Sequence, residues 1–160
     1  VQIKKLNTLL DCCNKNTLSN IYDYIVKNLS KLLKGTSVIK SHFMTFFSEN
    51  LYMFYDITDE QANNTKDAIN NCLQLKSFDF RLMFFCLEKL FLCKKENVDE
   101  YIKAILNQRQ IDHFMARCLL DISTEKELIF CLIGKKNIKA AIDLTKEKKY
   151  SNFSDVVVLL

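Results

Sequence analysis

Leu18, Ile21, Ile25, Leu29 and Leu32 follow one another at helical spacing behind Thr17, a residue type suited to an N-cap. The run stops at Gly35, where a left-handed residue closes a helix without steric cost. The stretch from Ile3 to Cys13 fits a shorter amphipathic helix. Between Val38 and Tyr55 the same spacing returns in Ile39, Phe43, Phe46, Phe47 and Leu51, with enough aromatic rings to make this segment a heavy contributor to a core. Asp56–Glu60 reads as a break. Thr58 and Gln61 then have the form of a capping box, in which each side chain bonds the other's backbone N–H, and they open a polar helix that ends near Leu75.

Ser77 is placed to cap the next helix, Phe78 to about Lys94. Its apolar residues, from Phe78 and Phe80 through Leu82–Leu87 to Leu90–Cys93, fall on almost every side, and a helix that is hydrophobic all round is a buried one. This segment is therefore expected to form the centre of the domain. Beyond it, short helices succeed one another: Val98–Asn107 opened by Asn97 and Glu100, Ile111–Asp121, Thr124–Ile133 opened by a Thr124/Glu127 capping box and closed by Gly134, Asn137–Lys148, and a last helix begun by Ser151 or Ser154. Links this short force antiparallel neighbours, the arrangement of stacked helical hairpins.

The stretch from Glu127 to Glu147 resembles one tetratricopeptide or pentatricopeptide-type hairpin. Gly134 stands where such a repeat turns, and Ala141 and Leu144 stand in the Ala-x-x-Leu helix that packs back. The resemblance covers about a quarter of the chain, in its C-terminal part. It departs from the repeat pattern in having no closing Pro and in the length of the helix from Phe78 to Lys94. What it implies is an all-α fold of antiparallel helical hairpins forming an α-α superhelix. The all-round apolar helix supports a second arrangement, a closed Bcl-2-like helical bundle, although the Asn-Trp-Gly-Arg box of that family is missing and the chain has no Trp.

Composition agrees with helices throughout: there is no Pro and there are only two Gly, so the punctuation of sheets and tight turns is missing. With 160 residues, 49% of them hydrophobic, the chain has the material for one core. It opens on Val1 and closes on the apolar run Val156–Leu160, which we read as a single helical domain, 1–160, cut from a larger polypeptide. No apolar run approaches the roughly 20 residues of a membrane span. Seven cysteines is an odd number, and most lie within apolar helical patterns, where a reduced thiol packs as a small hydrophobe. An intracellular location, cytoplasmic or nuclear, is expected on that ground.

Chemistry is harder to find. His42 and His113 have no Cys, Asp or Glu at a spacing that brings both onto one helix face, and zinc-type Cys-x-x-Cys pairs are missing, so neither metal nor cofactor is expected. No activated nucleophile motif or glycine-rich phosphate loop occurs, and no catalytic residue or small-molecule substrate is assigned. Glu96, Asp99 and Glu100 gather at a helix start, where the macrodipole favours carboxylates.

The net charge of +4 is unevenly spread: residues 1–40 carry +5, 41–133 carry −4, and 134–150 carry +4. Lys27, Lys31 and Lys34 form a stripe on the first strong helix, and Lys135, Lys136, Lys139 and Lys146 crowd the last hairpin. Such stripes are a candidate basic binding patch for phosphates, but only three Arg are present and no aromatic ring is interleaved with the lysines. Tyr52 and Tyr55 are candidates for the edge of a groove that takes a partner helix. Together these features predict a non-catalytic helical scaffold for protein–protein interaction. The alternatives are a nucleic-acid-binding helical repeat that uses its basic ends and a Bcl-2-like groove.

Overall fold

A computed structural model of the chain describes residues 15–33, 56–76 and 80–160. The expected helices over Ile3–Cys13 and Val38–Tyr55, the Ser77 cap, His42, Lys34, Tyr52 and Tyr55 lie outside them. The described residues are helical, with no strand among them. The chain divides into two compact units, Val1–Lys95 and Glu96–Leu160.

In the first unit, α1 (Lys15–Lys27) and α2 (Leu29–Leu33) occupy the segment expected to be one helix. The break falls at Asn28, where the backbone N–H at 3.0 Å and the side-chain Nδ2 at 2.9 Å both donate to the Tyr24 carbonyl. The apolar face nonetheless runs on: Leu18, Tyr22, Ile25, Val26, Leu29 and Leu33 are all buried. The next helix, α3 (Asp59–Cys72), begins with the capping box read from the sequence, Gln61 N–H donating to Thr58 Oγ1 at 3.1 Å and Thr58 N–H to Gln61 Oε1 at 3.0 Å.

With few apolar residues, α3 packs against α1 partly through polar groups. Gln61 is buried, and its Nε2 donates to Ser19 Oγ and Asp23 Oδ1, each at 2.9 Å. Thr65, also buried, donates to the Gln61 carbonyl at 2.6 Å and meets the Tyr22 hydroxyl at 2.8 Å. Burial holds the Tyr22 phenol far above its usual range.

Helix α4 (Phe80–Lys94) is buried over most of its circumference, as its composition predicts: Phe80, Leu82, Met83, Phe85, Cys86, Leu87 and Leu90 are inside. It packs on α3, and its Phe85 ring meets Tyr22 edge-on, centroids 5.9 Å apart. Lys89 breaks the apolar rule. It is buried with its ammonium 5.9 Å from the centre of the Phe85 ring, and desolvation lowers its pKa. Lys95 follows the helix at φ 55, a left-handed residue in the position a glycine commonly takes.

The second unit contains α5 (Asp99–Gln108), α6 (His113–Asp121), α7 (Lys126–Lys136), α8 (Ile138–Thr145), a 3-10 turn (Lys148–Phe153) and α9 (Ser154–Leu159). Helices two apart in sequence lie side by side, α5 with α7 and α6 with α8, and α7 and α8 form a hairpin. The core consists of Ile102, Ile105, Leu106, Ala116, Leu119, Leu120, Ile129, Phe130, Ile133, Ala140, Ala141 and Leu144, sealed by Phe153 stacked on Phe130 at 4.8 Å.

Two local expectations are corrected here. Gly134 does not end its helix. α7 continues to Lys136, and Gly134 lies buried inside it, where an added Cβ would stand 2.2 Å from Cδ1 of Leu160. The turn belongs instead to Asn137, whose Oδ1 accepts from Ala140 N–H at 3.2 Å as N-cap of α8 and whose Nδ2 donates to the Ile111 carbonyl at 2.6 Å. The Thr124/Glu127 capping box does not form either. The Thr124 hydroxyl is turned to Asp99, and α7 starts behind Glu125 with no side-chain cap.

Candidate functional site

Asp99 is the most deeply placed carboxylate of the second unit, 2% exposed. It accepts from Ser123 Oγ at 2.9 Å, from Thr124 N–H at 3.1 Å and from the Thr124 hydroxyl. Burial alone raises such a carboxyl, but these donors, with the Glu125 backbone, outweigh it and hold the pKa below the usual value. At the start of α5, Asp99 does more than complement a helix dipole: it fastens the α6–α7 connection to α5. These contacts all tie one segment of the chain to another.

A second polar cluster runs along one face of α6. His113, Arg117 and Asp121 stand one turn apart, against the segment that leaves α8. Glu147 Oε1 meets His113 Nε2 and lies 3.5 Å from Arg117 Nη1. Asp121 Oδ1 receives Lys149 Nζ at 2.5 Å and the Tyr150 hydroxyl. Burial, then the Asp121 charge beside it, raises the Tyr150 phenol well above its usual range. His113 Nε2 lies against Glu147 without an aligned hydrogen bond, and Arg117 and Asp121 supply the ties to the chain after α8. Among the described residues no group of three or more His, Cys, Asp or Glu is gathered so as to hold a metal ion.

In the first unit, an open groove of about 680 Å³ lies between α1–α2 and α3, lined by Ser19, Asp23, Lys27, Glu60, Asn64 and Asp67 among others. On its floor Gln61 bonds Ser19 and Asp23.

The expected basic residues separate into two sets. Lys27 ends α1 and Lys31 lies in α2, both exposed. Lys135 and Lys136 form the last turn of α7 and Lys139 the first turn of α8, with only Asn137 between them and α8, and all three are exposed. Lys146 follows α8 and pairs with Asp143 at 3.5 Å, with 72% of its side chain in solvent. The two acids of the 134–150 stretch are thus engaged, Asp143 by Lys146 and Glu147 by α6.

What the sequence reading missed is the apolar content of the same hairpin. Ile138 and Ile142, one turn apart on α8, are 49% and 38% exposed, while Ala140, Ala141 and Leu144 on its other side are buried. Phe114 and Leu128 of this unit also stand about half exposed. Periodicity identified these residues as apolar but not which of them the packing leaves in water. No described helix is long and apolar enough to cross a membrane. Comparison of the chain with protein-family models, with curated proteins and with solved structures gives no match.

Proposed function

We propose that this chain is a non-catalytic helical scaffold that binds other proteins through the outer faces of its helices. The observation that carries the reading is the division of labour in Glu96–Leu160. The carboxylates of Asp99, Asp121 and Glu147 are all engaged in fastening one segment to another, while Phe114, Leu128, Ile138 and Ile142 stand in solvent. Titratable groups spent on internal pairs favour a structural role, and large apolar side chains left on the outside favour association. The side-by-side packing of α5 with α7 and of α6 with α8 supports the hairpin-repeat reading and its tetratricopeptide-like resemblance, because stacked hairpins offer extended surfaces. The odd number of cysteines and the burial of Cys72 and Cys86 within the apolar core support a reducing compartment, cytoplasm or nucleus.

Affinity capture with the whole chain as bait, repeated with Phe114→Ser and Leu128→Ser and with Ile138→Ser and Ile142→Ser, tests this reading. It expects proteins that are retained by the native chain and lost with at least one pair of substitutions. Recovery of nothing specific to the native surface would end it.

One observation favours a second reading, binding to nucleic acid. Lys135, Lys136 and Lys139 are exposed together, and no ion pair engages them among the described residues. That reading requires an affinity for an oligonucleotide that falls steeply with salt and disappears in the Lys135→Glu/Lys136→Glu/Lys139→Glu variant.

A further inference from the structure

Helix α8 has two dissimilar sides. Ala140, Ala141 and Leu144 face the core, and the opposite side presents Ile138 and Ile142 as a one-turn apolar row. Lys139 and Lys146, seven residues apart, lie on a common line about 60–80° further round the helix from the isoleucines, by the helical advance of about 100° per residue. Lys135 and Lys136 stand at the end where α7 passes into α8. The apolar row is thus flanked by lysines at one side and at one end. Of the two acids nearby, Asp143 is 3.5 Å from Lys146 and Glu147 is drawn to His113 and Arg117, so the flank keeps a positive excess.

We propose that this outer face of α8 docks an acidic amphipathic helix of a protein partner, whose apolar side covers Ile138 and Ile142 and whose carboxylates pair with Lys135, Lys139 and Lys146. This rests on the scaffold reading above and gives it a partner chemistry. The charge complementarity is specific: a positive flank beside an apolar row suits an occupant with a negative flank and an apolar row of its own. A phosphate backbone would use the lysines but would leave the isoleucines in water. A bilayer surface calls for a longer apolar face than the single turn that α8 exposes.

The test uses the full chain and a fluorescent synthetic peptide of about 18 residues, with Leu repeating at three- and four-residue spacing and Glu elsewhere. A peptide of the same composition, scrambled so that its leucines share no face, is the first control. A single-stranded oligonucleotide and vesicles of phosphatidylserine are the second and third. Fluorescence anisotropy is expected to show the amphipathic peptide binding at least about tenfold more tightly than its scramble. Ile138→Ser with Ile142→Ser, and separately Lys139→Glu with Lys146→Glu, each weaken it about tenfold, and the second pair regains affinity for a peptide with Lys in place of Glu.

Equal binding of peptide and scramble, or indifference to the isoleucine substitutions, overturns the proposal. Tighter binding of the oligonucleotide or of the vesicles than of the peptide overturns it in favour of a phosphate-binding role. All four positions are on the surface, and unchanged far-UV circular dichroism of the variants shows that folding is retained. If capture by the native chain survives the α8 substitutions while the peptide fails to bind, only the docking proposal falls and the scaffold reading stands.

Discussion

Replacing Asp99 by asparagine keeps the shape of the side chain while putting an NH₂ group where an acceptor stood. Ser123 Oγ, Thr124 N–H and the Thr124 hydroxyl all converge on this carboxylate, which is 2% exposed. Hydrogen bonds to a charged acceptor contribute about 1.5–3 kcal/mol each, and the donors left without one lose their partner in a place water does not easily reach. The cost of burying the native charge offsets part of this, so the expected net loss is about 2–4 kcal/mol. Against a total stability of about 5–15 kcal/mol, that is a large fraction.

The pH dependence follows from the sign of the shift. Asp99 titrates lower in the folded chain than in the unfolded one. Its contribution is fully present above the unfolded carboxyl value of about 3.9 and is lost as pH falls through the folded value. Urea unfolding followed by circular dichroism should therefore show a wide gap between native chain and variant at pH 7 that narrows below about pH 4. Hydrogen exchange read by mass spectrometry should place the loosening in peptides of Glu96–Leu160, above all 96–125. A gap that stays constant down to pH 3, or a variant as stable as the native chain, would refute the reasoning. A Thr124→Val cycle with Asp99→Asn should show strong coupling, because both remove the same bonds.

Other substitutions probe the remaining joints. Gln61→Ala removes one half of a capping box and the bonds to Ser19 and Asp23 together, and should cost about 2 kcal/mol in chemical denaturation, against about 1 for Thr58→Ala, which removes a cap alone. Gly134→Ala should change the melting free energy by less than about 1 kcal/mol, because a gain in helix propensity opposes the displacement of the flexible end of Leu160. A loss of about 2 kcal/mol or more would show that Leu160 cannot move aside for the added methyl group. The Tyr22 and Tyr150 phenols titrate above the unfolded value of about 10, so the stability they supply is complete below pH 10 and falls as pH rises beyond it. Tyr150→Phe should reduce that alkaline loss, which melting curves taken between pH 8 and 11 will measure.

Much of this fold was legible because helices are local. The Thr58/Gln61 capping box involves side chains and backbone three residues apart, and it forms as the sequence predicts. The burial of α4 over most of its circumference follows from its apolar composition, although Leu92 stands half exposed. The exposure of Lys135, Lys136, Lys139 and Lys146 is equally a consequence of residue type, since an ammonium is expensive to bury. Lys89 shows the margin of that rule, for its long apolar stem allows it to lie inside against Phe85.

Other features depended on which segments meet. Thr124 and Glu127 satisfy the capping-box pattern as well as Thr58 and Gln61 do, yet Asp99, distant in sequence, offers the Thr124 hydroxyl a charged acceptor and wins it. Gly134 has the spacing of a turn residue, but its value lies in the room it leaves for Leu160, a contact between distant segments. The α6 stripe of His113, Arg117 and Asp121 gained a meaning only when Glu147, Lys149 and Tyr150 were folded against it. Periodicity assigns a residue to the apolar side of a helix, whereas burial requires a neighbour to cover it. The chain by itself therefore determined where helices form and which residues are greasy or charged. The packing of α8 decided that Ile138 and Ile142 remain in water, and on those two side chains the docking proposal depends.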